Sequence, residues 1–304
     1  MTSVHIERVS RSEIPGMLAG TAVPHRAAVT HHTRRITEAI MNGRRWFSLV
    51  IALAILVLTC PAYSQAQDGV YWHTDPGVKT CSMVIDPALT QEQWKTFVRQ
   101  AGALVSFKSL APAEPLGRGH FTLGLDYGVT PVDQHDPAWI NTFTHPDASC
   151  PLGDQIKMPS LRGTLGVSSR VDVVGFWSSA PNANYGVAGG ALKYAFVKES
   201  AKVPAAAVTA SYTGLTGVPD FNMSIYSIGV AASKRVAGFV PYLGVKQSLS
   251  VGTETTSKVD LAQETIPLGH AFVGATGSLW SINVAAEYEV AAVNTFSFMI
   301  GYHR

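Results

Sequence analysis

Short segments of alternating apolar and polar residues recur from about residue 118 to residue 304. Successive side chains of a strand point to opposite faces, so this alternation predicts β-strands with one apolar face. We count about ten such strands, each about ten residues long, with one more candidate at 103–110. That length exceeds the usual five or six residues and matches a tilted strand that crosses a bilayer. The clearest runs lie at 120–129, 161–169, 205–213, 280–290 and 295–302, and weaker runs at 171–179, 186–197, 223–232, 237–250 and 266–276.

The connections between these strands alternate in length. Turns are expected near 169, 200, 234 and 277, and longer loops at 130–158, 180–185, 215–222 and 251–265. This pattern is typical of outer-membrane barrels, whose short turns face the periplasm. The link at Val293-Asn294 is the exception, because a longer loop is expected there.

Composition favours lipid over water around the predicted sheet. Charged residues make up 14% of the chain, against about a quarter in soluble proteins. The polar face is mostly Gly, Ser, Thr and Ala, which suits a narrow barrel interior. The net charge of +2 gives no indication of nucleic-acid binding. Aromatic residues fall near strand ends, as in an interfacial girdle: Tyr127, Trp177, Tyr212, Trp280 and Tyr302.

These features predict an all-β fold, a closed antiparallel transmembrane β-barrel of about 10–12 strands with a short N-terminal helix. The helix is expected at 90–100, where Thr90 is a plausible N-cap and Trp94, Phe97 and Val98 share one face. A soluble β-sandwich also alternates and is the alternative.

The N-terminal part divides into three predicted segments. Residues 1–40 read as an upstream mis-start or an unstructured extension, with a genuine cytoplasmic extension as the alternative. Residues 41–66 have the pattern of a secretory signal peptide, with Arg44 and Arg45 before an apolar run that ends at Thr59. That run is too short for a spanning helix. A lipoprotein site at Cys60 fits poorly. Residues 67–116 are then a periplasmic N-terminal segment with the helix, and 117–304 the barrel.

Two cysteines, Cys81 and Cys150, follow the predicted signal peptide. In an exported chain they suggest one disulfide, with two free thiols as the alternative. The predicted topology places Cys150 in an external loop and Cys81 on the periplasmic side. Pairing would therefore require the N-terminal segment to thread the barrel, or a first strand at 103–110.

Three stretches, "VPAAAVTASYTGL", "YSIGVAASKRVAGFVPYLGVKQS" and "NVAAEYEVAAVNTFSFMIGYHR", resemble the repeated hairpins of small bacterial outer-membrane β-barrel proteins with a helical segment before the barrel. The resemblance covers roughly 90–304. It implies the fold, an outer-membrane location, contact with membrane lipid, and insertion by the outer-membrane machinery through the C-terminal strand. Many such proteins end on Phe, whereas this chain ends Tyr302-His303-Arg304. The resemblance implies no ligand.

The most informative polar residues are charges on the predicted inner face: Asp126, Arg162, Asp172, Glu287 and Glu289. They predict either an interior salt-bridge network or a polar lumen that passes or binds a small solute. Two weaker hypotheses are a metal site in the loop that holds His135, Asp136, His145 and Asp147, and a rim enzyme using His120, Asp126 and His270. Neither spacing matches a known motif, so we expect no metal, no cofactor and no catalysis.

The sequence thus predicts an outer-membrane barrel of structural or ligand-binding character. The alternatives are a narrow pore or transporter for small or hydrophobic solutes, in which the 90–100 helix plugs the lumen, and a lipid-modifying barrel enzyme.

Overall fold

The alternating segments form ten antiparallel strands that close into a barrel, which confirms the predicted fold class. The computed structural model describes residues 82–144, 154–179 and 184–304. The barrel strands are β2 (Phe121–Pro131), β4 (Gln155–Gly166), β5 (Val171–Ser179), β6 (Gly186–Val197), β7 (Ala205–Thr216), β8 (Phe221–Ser233), β9 (Phe239–Glu254), β10 (Glu264–Leu279), β11 (Ile282–Val290) and β12 (Thr295–His303). The order around the barrel is β10-β11-β12-β2-β4-β5-β6-β7-β8-β9.

The barrel closes where the last strand pairs with the first. The β12–β2 register runs from Phe296 opposite Val129 to His303 opposite Thr122. Phe121 and Arg304 then exchange backbone hydrogen bonds, with N–O distances of 2.8 and 3.0 Å. Closure leaves no unpaired strand edge in the barrel.

The connections define two ends of the barrel. The turn end holds 167–170, 198–204, 234–238 and 280–281, together with the start of β2 and the end of β12. The loop end holds the described connections 132–144, 154, 184–185, 217–220, 255–263 and 291–294. The turn expected near 277 lies instead at Trp280-Ser281, because β10 continues to Leu279. Trp280 has a φ of 53°, the left-handed conformation that a two-residue hairpin turn uses.

The outward face of the barrel is apolar between two rows of exposed aromatic side chains. On β9 the exposed residues Phe239, Leu243, Val245 and Leu249 span about 33 Å of strand, or about 25 Å of depth at a tilt of about 40°. None of the described outward-facing side chains between the two rows is charged. The turn-end row is Phe121, Tyr194, Phe196, Phe239, Trp280 and Tyr302, and the loop-end row is Trp177, Tyr212, Tyr226, Tyr288 and Phe296.

A helix fills one side of the lumen. Helix α1 (Gln91–Val105) begins at a capping box formed by Thr90 and Gln93 and ends five residues later than the sequence suggests. It packs against the inner faces of β8, β9 and β10. Close approach requires glycine at two points: a Cβ on Gly252 would lie 2.5 Å from Val98, and one on Gly102 would lie 2.0 Å from the Ser250 hydroxyl oxygen. Among the described helices, none has the length and hydropathy of a membrane-spanning segment.

The chain after α1 runs through the lumen to the turn end, where the Gly119 N–H donates to the Gly166 carbonyl at 2.8 Å. We call residues 90–120 the plug. The sequence predicted that this segment precedes the barrel on the turn side. In the structure the segment enters the lumen from the loop end. Before the plug, β1 (Ser82–Met83) pairs with β3 (Phe143–Thr144), which lies in the first long loop.

Aromatic side chains close the loop end around α1. Phe97 contacts Phe221 and Trp139 with ring centroids 5.5 and 5.1 Å apart, and Trp94 contacts Phe221 at 5.3 Å. Trp139 belongs to helix α2 (Pro137–Ile140) and donates a hydrogen bond to Gln100 on α1. The first long loop is thereby packed onto the plug.

Several predictions fall outside the described residues: the extension 1–40, the signal peptide 41–66, Cys81, Cys150, His145 and Asp147. A disulfide between the two cysteines therefore stays a prediction. Ser82, the first described residue, pairs with Thr144 of the first long loop and so lies at the loop end, not on the turn side.

We expect Gly102→Ala to destabilise the protein by about 1–3 kcal/mol, because the added methyl forces α1 away from Ser250. The measurement is the temperature at which the compact, fast-migrating form on a detergent gel converts to the slow, unfolded form. Gly163→Ala is the control, since a Cβ there meets nothing within 4 Å. Equal midpoints for the two variants would contradict close packing of the helix on the wall.

Candidate functional site

The structure places all five predicted charged residues on the inner wall of the barrel. Their exposed fractions are 6% for Asp126, 5% for Arg162, 0% for Asp172, and 2% each for Glu287 and Glu289. They do not line an empty lumen, because the plug occupies it. The candidate site is therefore the contact between wall and plug.

Glu289 on β11 is the centre of this contact. One carboxylate oxygen lies 2.6 Å from the ammonium nitrogen of Lys108, which belongs to the plug, and 2.9 Å from Nδ1 of His270. The other oxygen lies 2.7 Å from the ammonium nitrogen of Lys246 on β9. Lys246 also donates to the Phe107 carbonyl of the plug at 2.7 Å. One buried carboxylate thus joins three strands of the wall to the plug.

Glu287, two residues earlier on the same face, holds the plug backbone. Its carboxylate accepts hydrogen bonds from the backbone N–H groups of Ser109 and Leu110 at 3.2 and 2.9 Å, and from the Tyr242 hydroxyl at 3.0 Å. Leu110 has a φ of 46°, an unfavourable left-handed conformation for a side-chain-bearing residue. The bonds to Glu287 stabilise that conformation.

Asp172 also holds the plug backbone, at a position nearer the turn end. It accepts a hydrogen bond from the Leu116 N–H at 3.1 Å and pairs with Lys193 at 2.9 Å. Lys193 donates in turn to the carbonyls of Pro112 and Glu114 in the plug, at 3.0 and 3.2 Å. The plug is thus fastened along its length by side chains of the wall.

The remaining pair, Arg162 and Asp126, lies on the side of the lumen away from α1. Nε of Arg162 is 2.5 Å from Asp126, and the guanidinium lies over the rings of Phe107 and Phe176 at 5.1 and 5.6 Å. Beside them is a cavity of about 50 Å³, whose lining includes the hydroxyl groups of Thr130, Ser160, Ser178, Thr295 and Ser297. Among the described residues, Nη1 of Arg162 and Oδ1 of Asp126 have no hydrogen-bond partner. A cavity of this size and polarity has room for a few water molecules.

The charges of the described lumen balance. Four cationic side chains, Lys108, Arg162, Lys193 and Lys246, face four carboxylates, Asp126, Asp172, Glu287 and Glu289. Burial of a charge is costly unless a partner of opposite sign and further hydrogen bonds compensate it. One of the four cations comes from the plug, so the wall alone would carry an excess of negative charge.

Three wall residues have the connectivity of a hydrolase triad, which the sequence did not reveal. The Ser248 hydroxyl lies 2.7 Å from Nε2 of His270, whose Nδ1 contacts Glu289. Ser248 is 1% exposed, and it does not line the cavity beside Arg162. Glu289 also binds two lysine ammonium groups. Ser248 and His270 thus orient Glu289 towards the plug, and the arrangement presents no accessible nucleophile.

The other candidate residues do not come together. His120 is exposed at the turn end, whereas Asp126 and His270 lie in the lumen with separate partners. Asp136 caps α2 by accepting from the Ala138 N–H at 2.9 Å, and Gln100 donates to it at 3.3 Å. In the described part of the chain, no cluster of three or more His, Cys, Asp or Glu side chains is arranged to hold a metal ion.

Sequence reasoning found Arg162 but missed the other three cations of this network: Lys108, Lys193 and Lys246. The signal for two of them was available, because Lys193 and Lys246 have inner-face parity in the alternating runs at 186–197 and 237–250. Lys108 lies in the candidate strand 103–110, which is wrong, because these residues form the end of α1 and the irregular part of the plug. Only the threading of the plug brings Lys108 to Glu289.

The fold and this lumen define the class as a closed barrel of the outer-membrane type with an internal plug. No protein-family model and no curated protein sequence matches the chain. Its structural neighbours are small outer-membrane barrels. Neisserial surface protein A is 14% identical, with a TM-score of 0.26 over 61% of this chain and 96% of its own.

Two further structures have the same character. Ail, the attachment invasion locus protein of Yersinia pestis, in complex with the heparin analogue sucrose octasulfate, is 10% identical, with a TM-score of 0.28 over 62% of this chain and 99% of its own. The translocator domain of the autotransporter NalP from Neisseria meningitidis is 11% identical, with a TM-score of 0.33 over 67% and 91%. These values describe a likeness of fold and carry no function to this chain.

We expect Glu289→Gln to lower stability by about 3–5 kcal/mol, because it leaves Lys108 and Lys246 buried without a carboxylate. Glu287→Gln is the matched control and should cost about 1 kcal/mol, since its amide oxygen still accepts a backbone hydrogen bond. The measurement is again the midpoint of the heat-induced gel shift. If the two variants unfold at the same temperature, Glu289 is not the centre of the contact.

Proposed function

We propose that this protein is an integral outer-membrane barrel of structural or binding character, whose lumen is closed by its own N-terminal segment. The uncharged apolar band, about 25 Å deep between two aromatic rows, supports membrane insertion. The secretory pattern in residues 41–66 would supply export. Membrane lipid and the outer-membrane insertion machinery are the partners that this location implies.

The contacts between the wall and the plug are the observation that supports a closed lumen. Glu289, Glu287 and Asp172 hold it at three successive positions along the barrel. A segment that provides a buried cation to the wall is a permanent part of the structure, because its removal would leave carboxylates uncompensated. We infer that the resting protein passes no ions.

The loop end is the surface available for binding. Short turns face the periplasm in outer-membrane barrels, so the loop end faces the exterior. Beneath this surface the aromatic cluster of Trp94, Phe97, Trp139 and Phe221 is buried and joins α1 to the wall and to the described part of the first loop. An exterior surface on a closed barrel suits adhesion or ligand binding better than transport.

A narrow passage for small solutes is the second candidate. The cavity beside Arg162 favours it, because it leaves a gap between the plug and hydroxyl groups on β2, β4, β5 and β12. Catalysis is the least supported function, since the Ser248 hydroxyl is buried.

We expect the wild-type protein to be silent in planar bilayers, and Lys108→Glu to produce discrete currents. The substitution places a second carboxylate beside Glu289, so repulsion should displace residues 106–116 from the wall. Lys95→Glu, a charge reversal at an exposed position of α1, is the control and should stay silent.

Two outcomes would contradict the closed lumen. One is a Lys108→Glu protein that folds, as judged by its gel shift, and remains silent. The other is a wild-type protein that conducts. If Ser297→Phe, which fills the cavity, then blocks the wild-type current, the second candidate function is supported.

We expect Glu92 to face the cell exterior and Lys198 the periplasm. In a chain with its three cysteines replaced by serine, Glu92→Cys should react with a membrane-impermeant maleimide on intact cells. Lys198→Cys, at the opposite end, should react only after the outer membrane is permeabilised. The reverse pattern would invert the proposed orientation.

A further inference from the structure

The turn end of the barrel has a ring of positive charge that the lumen network does not use. Its connections and the chain segments at the β2–β12 junction hold seven cationic side chains and, among the described residues, one carboxylate, Glu199. The plug adds a second carboxylate at this end, Glu114, which accepts a hydrogen bond from the Glu199 N–H at 2.8 Å and lines the same surface pocket as Lys234 and Arg235. The cations are Arg118, Arg170, Lys198, Lys202, Lys234, Arg235 and Arg304. We call these seven side chains the basic ring.

The basic ring surrounds the barrel. Arg118 and Arg304 stand at the β2–β12 junction, and the other five are distributed over the three hairpin turns 167–170, 198–204 and 234–238. The remaining hairpin turn of this end carries Trp280, which is 81% exposed. Each sector of the rim therefore presents either a cation or an interfacial aromatic side chain.

Most of the basic ring faces solvent without a partner. Six of its members are exposed, and Lys234 is partly covered by the carbonyl groups of 200–203 and by Glu199 at 3.8 Å. Among the residues that the structure describes, no carboxylate pairs with Arg118, Lys198, Lys202 or Arg304. These charges are available to an external anion.

The loop end has the opposite charge. Its described connections hold five aspartates and a single cation, Lys258. The aspartates are Asp133, Asp136, Asp154, Asp220 and Asp260. The molecule is thus polarised along the barrel axis, although the net charge of the whole chain is only +2. The positive charge is therefore concentrated at the turn end and is not evident from the net charge of the chain.

The basic ring lies directly beyond the turn-end aromatic row. Tyr302 and Phe121, whose ring centroids are 6.1 Å apart, lie two and three residues from Arg304 and Arg118 in the chain, and Phe121 exchanges backbone hydrogen bonds with Arg304. Aromatic rows mark the depth of the membrane interface, and lipid phosphates lie just outside it. If the barrel spans the membrane as proposed above, the basic ring meets the headgroups of the leaflet on the turn side.

We propose that the basic ring binds anionic phospholipid headgroups and selects them over zwitterionic ones around the barrel. Lys and Arg near a membrane surface attract anionic lipid, and the attraction decays within a Debye length, so it weakens as salt rises. Selection of this kind fixes the depth of the barrel at its turn end. The inference rests on the proposed membrane insertion.

The fluorescence of Trp280 can be used to measure the contact between the basic ring and lipid headgroups. Trp280 lies between the 234–238 turn and the chain end, since the His303 N–H donates to the Ser281 carbonyl at 2.8 Å. In a Trp72→Phe and Trp177→Phe background, the described tryptophans besides Trp280 are Trp94 and Trp139, both 0% exposed. Lipids brominated near the headgroup therefore quench Trp280 when they surround it.

The experiment compares two vesicle compositions with equal phosphatidylglycerol and phosphatidylcholine. In one the phosphatidylglycerol is brominated, and in the other the phosphatidylcholine. We expect at least about twofold stronger quenching by brominated phosphatidylglycerol at low salt, and loss of the difference at high salt. Arg235→Gln with Arg304→Gln should remove the preference. Lys95→Gln with Arg99→Gln, which removes two exposed charges from α1, should leave it unchanged.

The outcomes separate the two proposals. Equal quenching by both brominated lipids would overturn lipid selection while leaving membrane insertion intact. Absence of quenching by either lipid would contradict insertion itself. A preference that persists after removal of Arg235 and Arg304, or that requires Lys95 and Arg99, would overturn the role of the basic ring.

Discussion

Neutralisation of buried carboxylates is the constraint on which the rest of this structure depends. The closed wall brings Glu287 and Glu289 to neighbouring inward positions of one strand, both 2% exposed. On the wall, Lys246 compensates only part of that charge. Lys108 and the backbone N–H groups of Ser109 and Leu110 supply the rest, so the wall is complementary to the plug and not to water.

The same complementarity explains why the helix lies to one side. Gly252 and Gly102 allow α1 to approach β9 at a distance that larger side chains would prevent. The aromatic cluster then holds the helix at the loop end. The opposite wall is left with Arg162, Asp126 and hydroxyl groups around a small cavity, where the chain keeps two polar atoms without a protein partner.

Period-two patterning was sufficient to predict the strands and their inward faces, because one strand's side-chain parity is a local property of the sequence. Asp126, Arg162, Asp172, Glu287 and Glu289 could be placed in the lumen on this basis alone. The path of the plug could not, since it depends on contacts between residues far apart in sequence, such as Lys108 with Glu289. The triad-like Ser248–His270–Glu289 connectivity required the register of three strands, which alternation does not give.

The pairing of Ser82 with Thr144, together with a plug that leaves by the turn end, has a consequence for assembly. A chain that runs through a closed ring of strands cannot be inserted sideways once the ring is complete. Either the strands wrap around the plug, with the β2–β12 seam as the last to join, or the N-terminal segment threads end-on through the finished ring from the turn end. The second route would carry the plug past wall carboxylates that still lack their partners, so the charges of the wall favour the first route.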